Sequence, residues 1–425
     1  MQWICKKPDI MFLFSKIEKG KGLRSGLREL KFNASNIASG ITGFAFSISG
    51  IVLIFSSVGK EANLNQEQII SWMFMGFAGG GLLSIFFSLH YRMPIVIAGS
   101  LPALVIVGIQ YKSFPVPAMC GAFIMCGIVT AIIGVSGIMG WLKRILPIPI
   151  IMGMISGVFM SFAIKIIYAV QASPLVSIVI LLSYFIALRL NFKNIPPQLV
   201  ALAVSVLMAI FFLPLEIPEG GVNLHFAHPV FVIPSFSFAA FINVSVPILL
   251  LVVSEVISGY GITKVQKYDA PLNSIMTVSG VASVFSGFSM AHALNFASVG
   301  TAIVITDAGG PRESRYAASI IKNCFSLLIA VTLGFTYPFL SILPVHIGNI
   351  LAGLALLSLF TNSLQTAFGS GDFRTGAFVA MIIGITNVSI WYISAPILAI
   401  IAGVIVSLFT EWKDFKKLNI ANSVA

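Results

Sequence analysis

The chain has 425 residues, of which 58% are hydrophobic and 9% are charged, and its mean hydropathy is +1.00. Soluble domains are about a quarter charged, so this composition excludes a soluble globular protein. The apolar runs are long and do not alternate with polar residues, which excludes an outer-membrane barrel and favours helices that each cross the bilayer with about 20 residues. The net charge of +11 does not indicate nucleic-acid binding, because many basic residues precede the first apolar run, where they favour a cytoplasmic tail in contact with anionic lipid.

Turn residues and short charged loops divide the apolar runs into spans. Twelve spans are predicted at about 37–58, 69–89, 117–140, 146–167, 174–190, 197–213, 237–259, 271–287, 314–334, 338–360, 375–391 and 394–410. Two further apolar segments, at about 94–109 and 291–306, are too short and too interrupted by Gly and Pro to cross as plain helices. Counting them gives an all-α polytopic membrane protein with 14 transmembrane segments.

The two short segments share one plan. The first, "YRMPIVIAGSLPALVIVG" (Tyr91–Gly108), begins as an extended, β-branched run, breaks at "GSLP" and continues as a short helix. Pro102 suits the first turn of that helix, and Ser100 suits its N-cap. The second, "FSMAHALNFASVGTAIVITD" (Phe288–Asp307), breaks at Ser298–Thr301 in the same way.

Each broken segment is the third in a set of seven, which is typical of two inverted repeats whose half-helices meet near the middle of the bilayer. The predicted organisation is a basic tail, a first repeat, an external loop, a second repeat and a C-terminal tail, at residues 1–36, 37–214, 215–236, 237–410 and 411–425. The alternative is that Gly and Pro only kink ordinary membrane helices.

Half-helices that begin inside the membrane present unpaired N–H groups and the positive end of the helix dipole. We expect acceptor atoms of a ligand to face the N–H groups around Ala103, Gly300 and Thr301. Gly300 would also allow a ligand to approach the backbone closely.

The basic residues test the span count. With the N-terminus inside and alternating spans, all lysines and arginines lie in predicted cytoplasmic segments except Lys60, Lys112, Lys165 and Lys322. This bias predicts a multi-pass protein of the cell membrane with both termini in the cytoplasm.

Glu255 lies in the middle of the apolar run "PILLLVVSEVISGYG" (Pro247–Gly261). An ionised side chain in mid-membrane costs about 2.5–3.5 kcal/mol on insertion scales, so we interpret Glu255 as a proton-binding residue. The alternative is a neutral carboxyl that hydrogen-bonds between helices.

Three more residues are candidates with open alternatives. His292 titrates near neutral pH, so it is a second proton-binding candidate or a packing residue. For Asn295, the two interpretations are contact with a ligand and bracing of the unwound backbone. Phe46 stacks on an aromatic ligand or packs in the core. Lys322 is interpreted as reaching the cytoplasmic interface, with a role as counter-ion for Glu255 or Asp307 as the alternative.

The segments "YRMPIVIAGSLPALVI", "AHALNFASVGTAI" and "GPRESRYAAS" resemble the benzoate/proton symporter family, whose architecture is similar to that of uracil-permease-type transporters. The resemblance covers most of the chain after residue 33. It implies fourteen segments in two inverted sets of seven, a core and a gate domain, and substrate held between the third and tenth segments.

One position departs from the family pattern. Benzoate-type members usually read Ser-Gln-Asn-Ala-Pro-Gly in the eighth segment, where this chain has Ser254, Glu255 and, further on, Ser258. Nucleobase permeases of the related fold have a glutamate in this region. The predicted substrate-binding set is Ser100, Pro102, Ala103, Ser254, Ser258, Asn295, Ser298, Gly300, Thr301 and Phe46, with Glu255 and His292 for protons.

The resulting hypothesis is a proton-coupled symporter for a small planar aromatic carboxylate that works by alternating access. A nucleobase or another small planar solute is the alternative within transport, and a passive anion channel is the alternative in another class. No nucleotide-binding or hydrolase motif is present, so no enzyme activity or cofactor is predicted. His225 and His228 lack a nearby acid in the sequence, so no metal site is predicted. The expected partners are the solute, protons and lipid, and a homodimer is left open.

Overall fold

The computed structural model describes residues 18–139, 147–190, 196–213, 224–341, 343–386, 390 and 395–421. In the first half, helix α1 (Leu23–Arg28) precedes α2 (Ala34–Phe46), a π-helical turn (Ser47–Ile51) and α3 (Val52–Glu61). The elements that follow are α4 (Gln66–Tyr91), strand β1 (Ile97–Gly99), α5 (Leu101–Gln110), α6 (Val116–Ser136), α7 (Ile148–Ala172), α8 (Pro174–Leu190) and α9 (Pro197–Phe212).

The second half has a similar order of elements. Helix α10 (Phe238–Val265) contains a π-helical turn (Phe241–Ser245). The elements that follow are α11 (Leu272–Gly287), strand β2 (Leu294–Phe296), α12 (Ser298–Ile305), two 3-10 turns (Asp307–Gly309 and Arg312–Ser314), α13 (Tyr316–Ser341), α14 (Val345–Phe368), α15 (Arg374–Thr386), α16 (Ala395–Thr410) and α17 (Trp412–Ala421).

The predicted polytopic helical membrane protein is confirmed. Among the described residues, six helices are long and apolar enough to cross a membrane: α4, α6, α7, α10, α13 with its preceding turn, and α14. Helices α5, α8, α9, α11, α15 and α16 are shorter and also apolar. The all-α prediction needs one addition, because the two extended stretches pair as strands.

Local sequence sets several helix ends. The side chains and backbones of Asn65 and Gln68 exchange hydrogen bonds of 2.9 and 3.0 Å at the start of α4, a capping box that satisfies exposed N–H groups. Gly137, with a φ of 67°, follows the end of α6. The predicted span at 338–360 begins too early, because α13 continues through Pro338 to Ser341. Membrane helices tolerate such a proline when neighbouring segments satisfy the freed backbone group.

Strands β1 and β2 are antiparallel and join the two broken segments. Ala98 pairs with Asn295 at the centre of this sheet. A serine on the preceding helix holds each strand: Ile97 N–H donates to Ser84 Oγ at 2.7 Å, and Leu294 N–H donates to Ser283 Oγ at 2.9 Å. These bonds satisfy backbone groups that would otherwise be unpaired in an apolar interior.

The helices pack in a reciprocal pattern around this sheet. Helix α4 packs on α13 and α6 packs on α11, and together these helices surround the strands. Helix α7 packs on α14 and α15. The broken segments therefore lie inside the protein and not on its lipid-facing surface.

The first and last described segments of the chain pack against the helices. Residues 1–17 of the predicted N-terminal tail lie outside the described part, but the Glu18 carboxylate accepts hydrogen bonds from Asn273 N and Ser274 N, at 3.0 and 2.8 Å, at the start of α11. The predicted C-terminal tail forms α17, and Glu411 accepts from Ser407 Oγ, Thr375 N and Gly376 N at 2.6, 2.7 and 3.1 Å. Partial burial works against ionisation of Glu411, but these hydrogen bonds outweigh it and hold the pKa of the carboxyl below its ordinary value.

Candidate functional site

The break in the first short segment is a capped helix start, as predicted. Ser100 is the N-cap of α5, its Oγ accepts from Ala103 N at 3.2 Å, and Pro102 lies in the first turn. Ala103 is fully buried, and its N–H is already bonded to this cap. The Ala103 N–H itself is therefore occupied, because a serine at the cap position takes that donor, and ligand contact with the other N–H groups of this turn stays a prediction.

Helix α12 begins without a side-chain cap. Its preceding residue, Ala297, accepts from Thr301 N at 2.9 Å, and Thr301 Oγ1 accepts from Val96 N at 3.2 Å. Thr301 is fully buried, and its hydroxyl holds the backbone of Val96, the residue before β1. The N–H groups of Ser298, Val299 and Gly300 have no partner within the helix, because they belong to its first turn.

A cavity of about 340 Å³ lies between the two broken segments and helices α7, α10, α13 and α14. Its volume falls within the range of small-molecule sites, and its lining is mostly apolar with a few polar groups. The predicted residues that line it are Pro102, Glu255, Ser258, Asn295, Ser298 and Gly300. Ser100, Ala103, Ser254, Thr301 and His292 are buried and do not line it. The side chain of Phe46 lies outside the described part of the structure.

Glu255 and Asn295 meet on one wall of this cavity. Asn295 is the middle residue of β2, and its Nδ2 donates a hydrogen bond to Glu255 Oε2 on α10. Among the described residues, Asn295 Oδ1 is buried without a hydrogen-bond partner. On the next turn of α10, Ser258 Oγ donates to the Ser254 carbonyl at 3.0 Å. The membrane carboxyl is thus bonded to the sheet that joins the two half-helices.

Lys322 also lines the cavity, from helix α13. It is 5% exposed, and its Nζ donates to Asn323 Oδ1 at 3.2 Å. The interpretation that Lys322 reaches the cytoplasmic interface is therefore wrong, because the side chain points into the protein. Ser319, Asn323 and Ser326 are buried on the same face of α13, at helical spacing. This row of polar residues in an apolar helix was the missed signal.

His292 lies behind the cavity and braces the start of α5. Trp72 Nε1 donates to His292 Nδ1 at 2.8 Å, so Nε2 is the protonated nitrogen and donates to the Ser100 carbonyl at 2.9 Å. Both ring nitrogens are used, and the residue is buried. Sequence reasoning did not identify Trp72, which reaches His292 from α4.

Two loop features lie outside the cavity. Asp307 forms an ion pair with Arg315, with an Nη2–Oδ1 distance of 2.6 Å. His225, His228 and Glu67 bring three potential metal-ligand atoms within 4.8 Å of one another. The acid of this group was not predicted, because Glu67 is far from the two histidines along the chain.

Comparisons with known proteins agree with this architecture. A family model described as benzoate membrane transport protein, BenE, matches residues 30–409. The benzoate membrane transport protein of Acinetobacter baylyi is 26% identical over 84% of this chain and 90% of its own length. The inner membrane protein YdcO of Escherichia coli is 26% identical over 80% of this chain and 87% of its own length.

Among solved structures, the transmembrane domain of a cyanobacterial bicarbonate transporter, BicA, is similar with a TM-score of 0.62 and 16% identity. The match covers 92% of this chain and 100% of that domain, and at this identity it shows a shared fold. Because the family model spans most of the sequence, the chain belongs to the benzoate membrane transport protein family, and it is a membrane transport protein and not an enzyme.

Proposed function

We propose that the protein is a secondary active transporter that couples inward movement of protons to uptake of a small planar aromatic carboxylate, such as benzoate. The observation that supports this most directly is the cavity between the two broken segments, where Glu255 hydrogen-bonds to Asn295. A carboxyl inside a membrane protein is costly when ionised. A residue of this kind at a ligand-sized cavity is suited to bind and release the coupling proton.

The solute would bind against the start of α12. The N–H groups of Ser298, Val299 and Gly300 lie in its first turn at the cavity, and they are positioned to donate to carboxylate oxygens at the positive end of the helix dipole. The apolar lining, which includes Phe159 and Ile155 of α7, would contact the ring. Pro102, Ser258 and Asn295 complete the proposed contacts.

The proposal includes the inverted-repeat architecture of fourteen segments, with repeats at 37–214 and 237–410. Three pairs of features support it. Each half of the chain has a strand before its half-helix, β1 in the first and β2 in the second. Each strand is held by a serine of the preceding helix, Ser84 or Ser283. Each half also has a π-helical turn in its first segment. Both termini would lie in the cytoplasm, the loop 215–236 would be external, and a homodimer remains a prediction.

Alternating access would expose the cavity to each side in turn. We assign the broken segments with α4, α6, α10, α11 and α13 to a core domain, because these elements contact the sheet or one another. Helices α7, α14, α15 and α16 would form the gate domain, and they pack mainly on one another. The cavity lies where the two groups meet, since α7 and α14 supply its opposite wall.

Uptake by purified protein in liposomes tests the function. Labelled benzoate, uracil and bicarbonate are offered with and without an inward proton gradient. We expect the gradient to drive accumulation of benzoate above its external concentration. Preferred accumulation of uracil would support the nucleobase alternative, and uptake that only equilibrates would support a passive channel.

The variant Glu255→Gln tests proton coupling. We expect it to equilibrate benzoate without accumulating it, because glutamine keeps a hydrogen bond with Asn295 but binds no proton. Glu313→Gln, an exposed loop carboxylate, is the matched control and should accumulate benzoate normally. A Glu255→Gln protein that still concentrates benzoate with an unchanged pH profile would rule out this role.

A further inference from the structure

The Lys322 side chain is a buried cation without an acid partner. It is 5% exposed, and among the described residues no carboxylate oxygen lies within 4.0 Å of its Nζ. Within the described part of the chain, its one hydrogen bond goes to the neutral amide oxygen of Asn323. An ammonium group has three donors, and burial of such a charge without a counter-ion is strongly unfavourable. The two unused donors therefore need another acceptor in the working protein.

The neighbours of Lys322 hold it toward the cavity. Asn323 Nδ2 donates to the Ser319 carbonyl at 2.7 Å, which leaves the amide oxygen directed at the ammonium. The side chain lines the same cavity as Glu255 and Gly300. A ligand bound at the start of α12 would therefore share a mostly apolar space with this positive charge.

Glu255 lines the same cavity but does not form an ion pair with this cation. Its Oε2 accepts from Asn295, so the sheet supplies a neutral donor for the acid. The acid and the base of the cavity are each held by a separate amide side chain, Asn295 for Glu255 and Asn323 for Lys322. This arrangement leaves the positive charge available to a ligand.

We propose that Lys322 binds the carboxylate of the transported solute and selects the anion over its neutral isosteres. This inference rests on the proposed function, and it adds a residue on α13 that neither the broken segments nor Glu255 supply. A carboxylate provides the missing counter-charge, whereas an amide of the same shape offers one neutral acceptor and leaves the ammonium unbalanced.

Binding of benzoate and of its neutral isostere benzamide to the purified, detergent-solubilised protein tests this. We expect the wild type to bind benzoate at least about 10-fold more tightly than benzamide. In Lys322→Met, which keeps an unbranched side chain but lacks the terminal ammonium, benzoate should bind about 10- to 100-fold more weakly while benzamide changes little. Lys322→Arg should keep the preference for the anion, and Lys413→Met, an exposed lysine of α17, should bind both as the wild type does.

The outcomes separate this inference from the proposed function. Wild-type protein that binds benzoate and benzamide equally would overturn the role of Lys322, whether or not the variants fold. An equal loss of both ligands in Lys322→Met would make the lysine structural and would also overturn it. Benzoate accumulation by Lys322→Met with an unchanged KM would overturn it and leave the proposed function intact. Failure of the wild type to bind or transport benzoate would overturn both.

Discussion

At the scale of single residues, the cavity differs from its surroundings in how polar groups are satisfied. Trp72 donates to His292, His292 donates to the Ser100 carbonyl, and the Ser100 hydroxyl accepts from Ala103 N, so both ring nitrogens of the histidine are satisfied. On the cavity wall, Asn295 Oδ1 and the Lys322 ammonium have unused hydrogen-bonding capacity. Fully satisfied buried networks are rigid, whereas unpaired groups beside a cavity are suited to contact a ligand.

Because both ring nitrogens of His292 are engaged, we propose that it positions the start of α5; the proton-coupling role predicted from the sequence is the alternative that the following variants test. We expect His292→Asn, whose amide can accept from Trp72 and donate to Ser100, to lower the rate of benzoate uptake and leave its pH profile unchanged. His292→Ala leaves two buried groups unpaired and should destabilise the protein by about 1–3 kcal/mol per group. Thermal unfolding measures the loss of stability. Uptake is measured from about pH 5 to 8, the range in which an ordinary histidine titrates. A shift of the pH profile in His292→Asn would assign the coupling to this residue.

At the scale of elements, the sheet requires close contact between the broken segments. A Cβ placed on Gly300 would lie 2.9 Å from Val96 Cγ1, and the valine is held in place by the Thr301 hydroxyl. A side chain here would push α12 away from the stretch before β1. Gly300 is therefore a packing requirement as well as part of the proposed site.

We expect Gly300→Val to abolish most uptake and to cost about 1–3 kcal/mol of stability, as overpacked sites do. Gly348→Ala on α14 is the matched control, because no atom lies within 4 Å of its added Cβ. Uptake rates of the two variants are compared in liposomes, and their thermal unfolding is compared in detergent. Normal uptake by Gly300→Val would show that the two segments need not stay in contact.

The sequence predicted the broken segments well, because Gly, Ser and Pro within Gly99–Pro102 have strong local effects on the backbone. It also located Glu255, since a single acid in an apolar run is conspicuous. It did not predict the place of Lys322 or the serine braces Ser84 and Ser283, which depend on the rotation of each helix against its neighbours. An ordinary serine gives no local signal of such a contact, whereas for Lys322 the signal was the row of polar residues on its helix face.

At the scale of the whole molecule, the reciprocal packing of α4 on α13 and of α6 on α11 encloses the strands and both half-helices. The proposed core domain would therefore move as one body with the cavity wall that contains Glu255, Asn295 and Lys322. Helices α7 and α14, which form the opposite wall of the cavity, would not move with it. The proposed site would be opened and closed by the change in contact between these two groups.

The acid and the base in one cavity have a consequence for the electrical behaviour of transport. With Glu255 ionised and Lys322 protonated, the two residues contribute no net charge to the empty cavity. When a carboxylate enters and Glu255 takes up a proton, the net charge is again zero. The anion alone or the proton alone would leave one unbalanced charge, which is costly to move through a low-dielectric interior.

Only the empty and the doubly loaded forms would then cross, so anion and proton would move together without net charge. Moving one charge through 100 mV changes the free energy by about 2.3 kcal/mol, a difference that uptake assays resolve. We expect a potassium diffusion potential set with valinomycin to leave benzoate uptake unchanged at constant pH, and a pH gradient at zero potential to drive it fully. Uptake that follows the membrane potential would show that the two charges of the cavity do not balance the cargo.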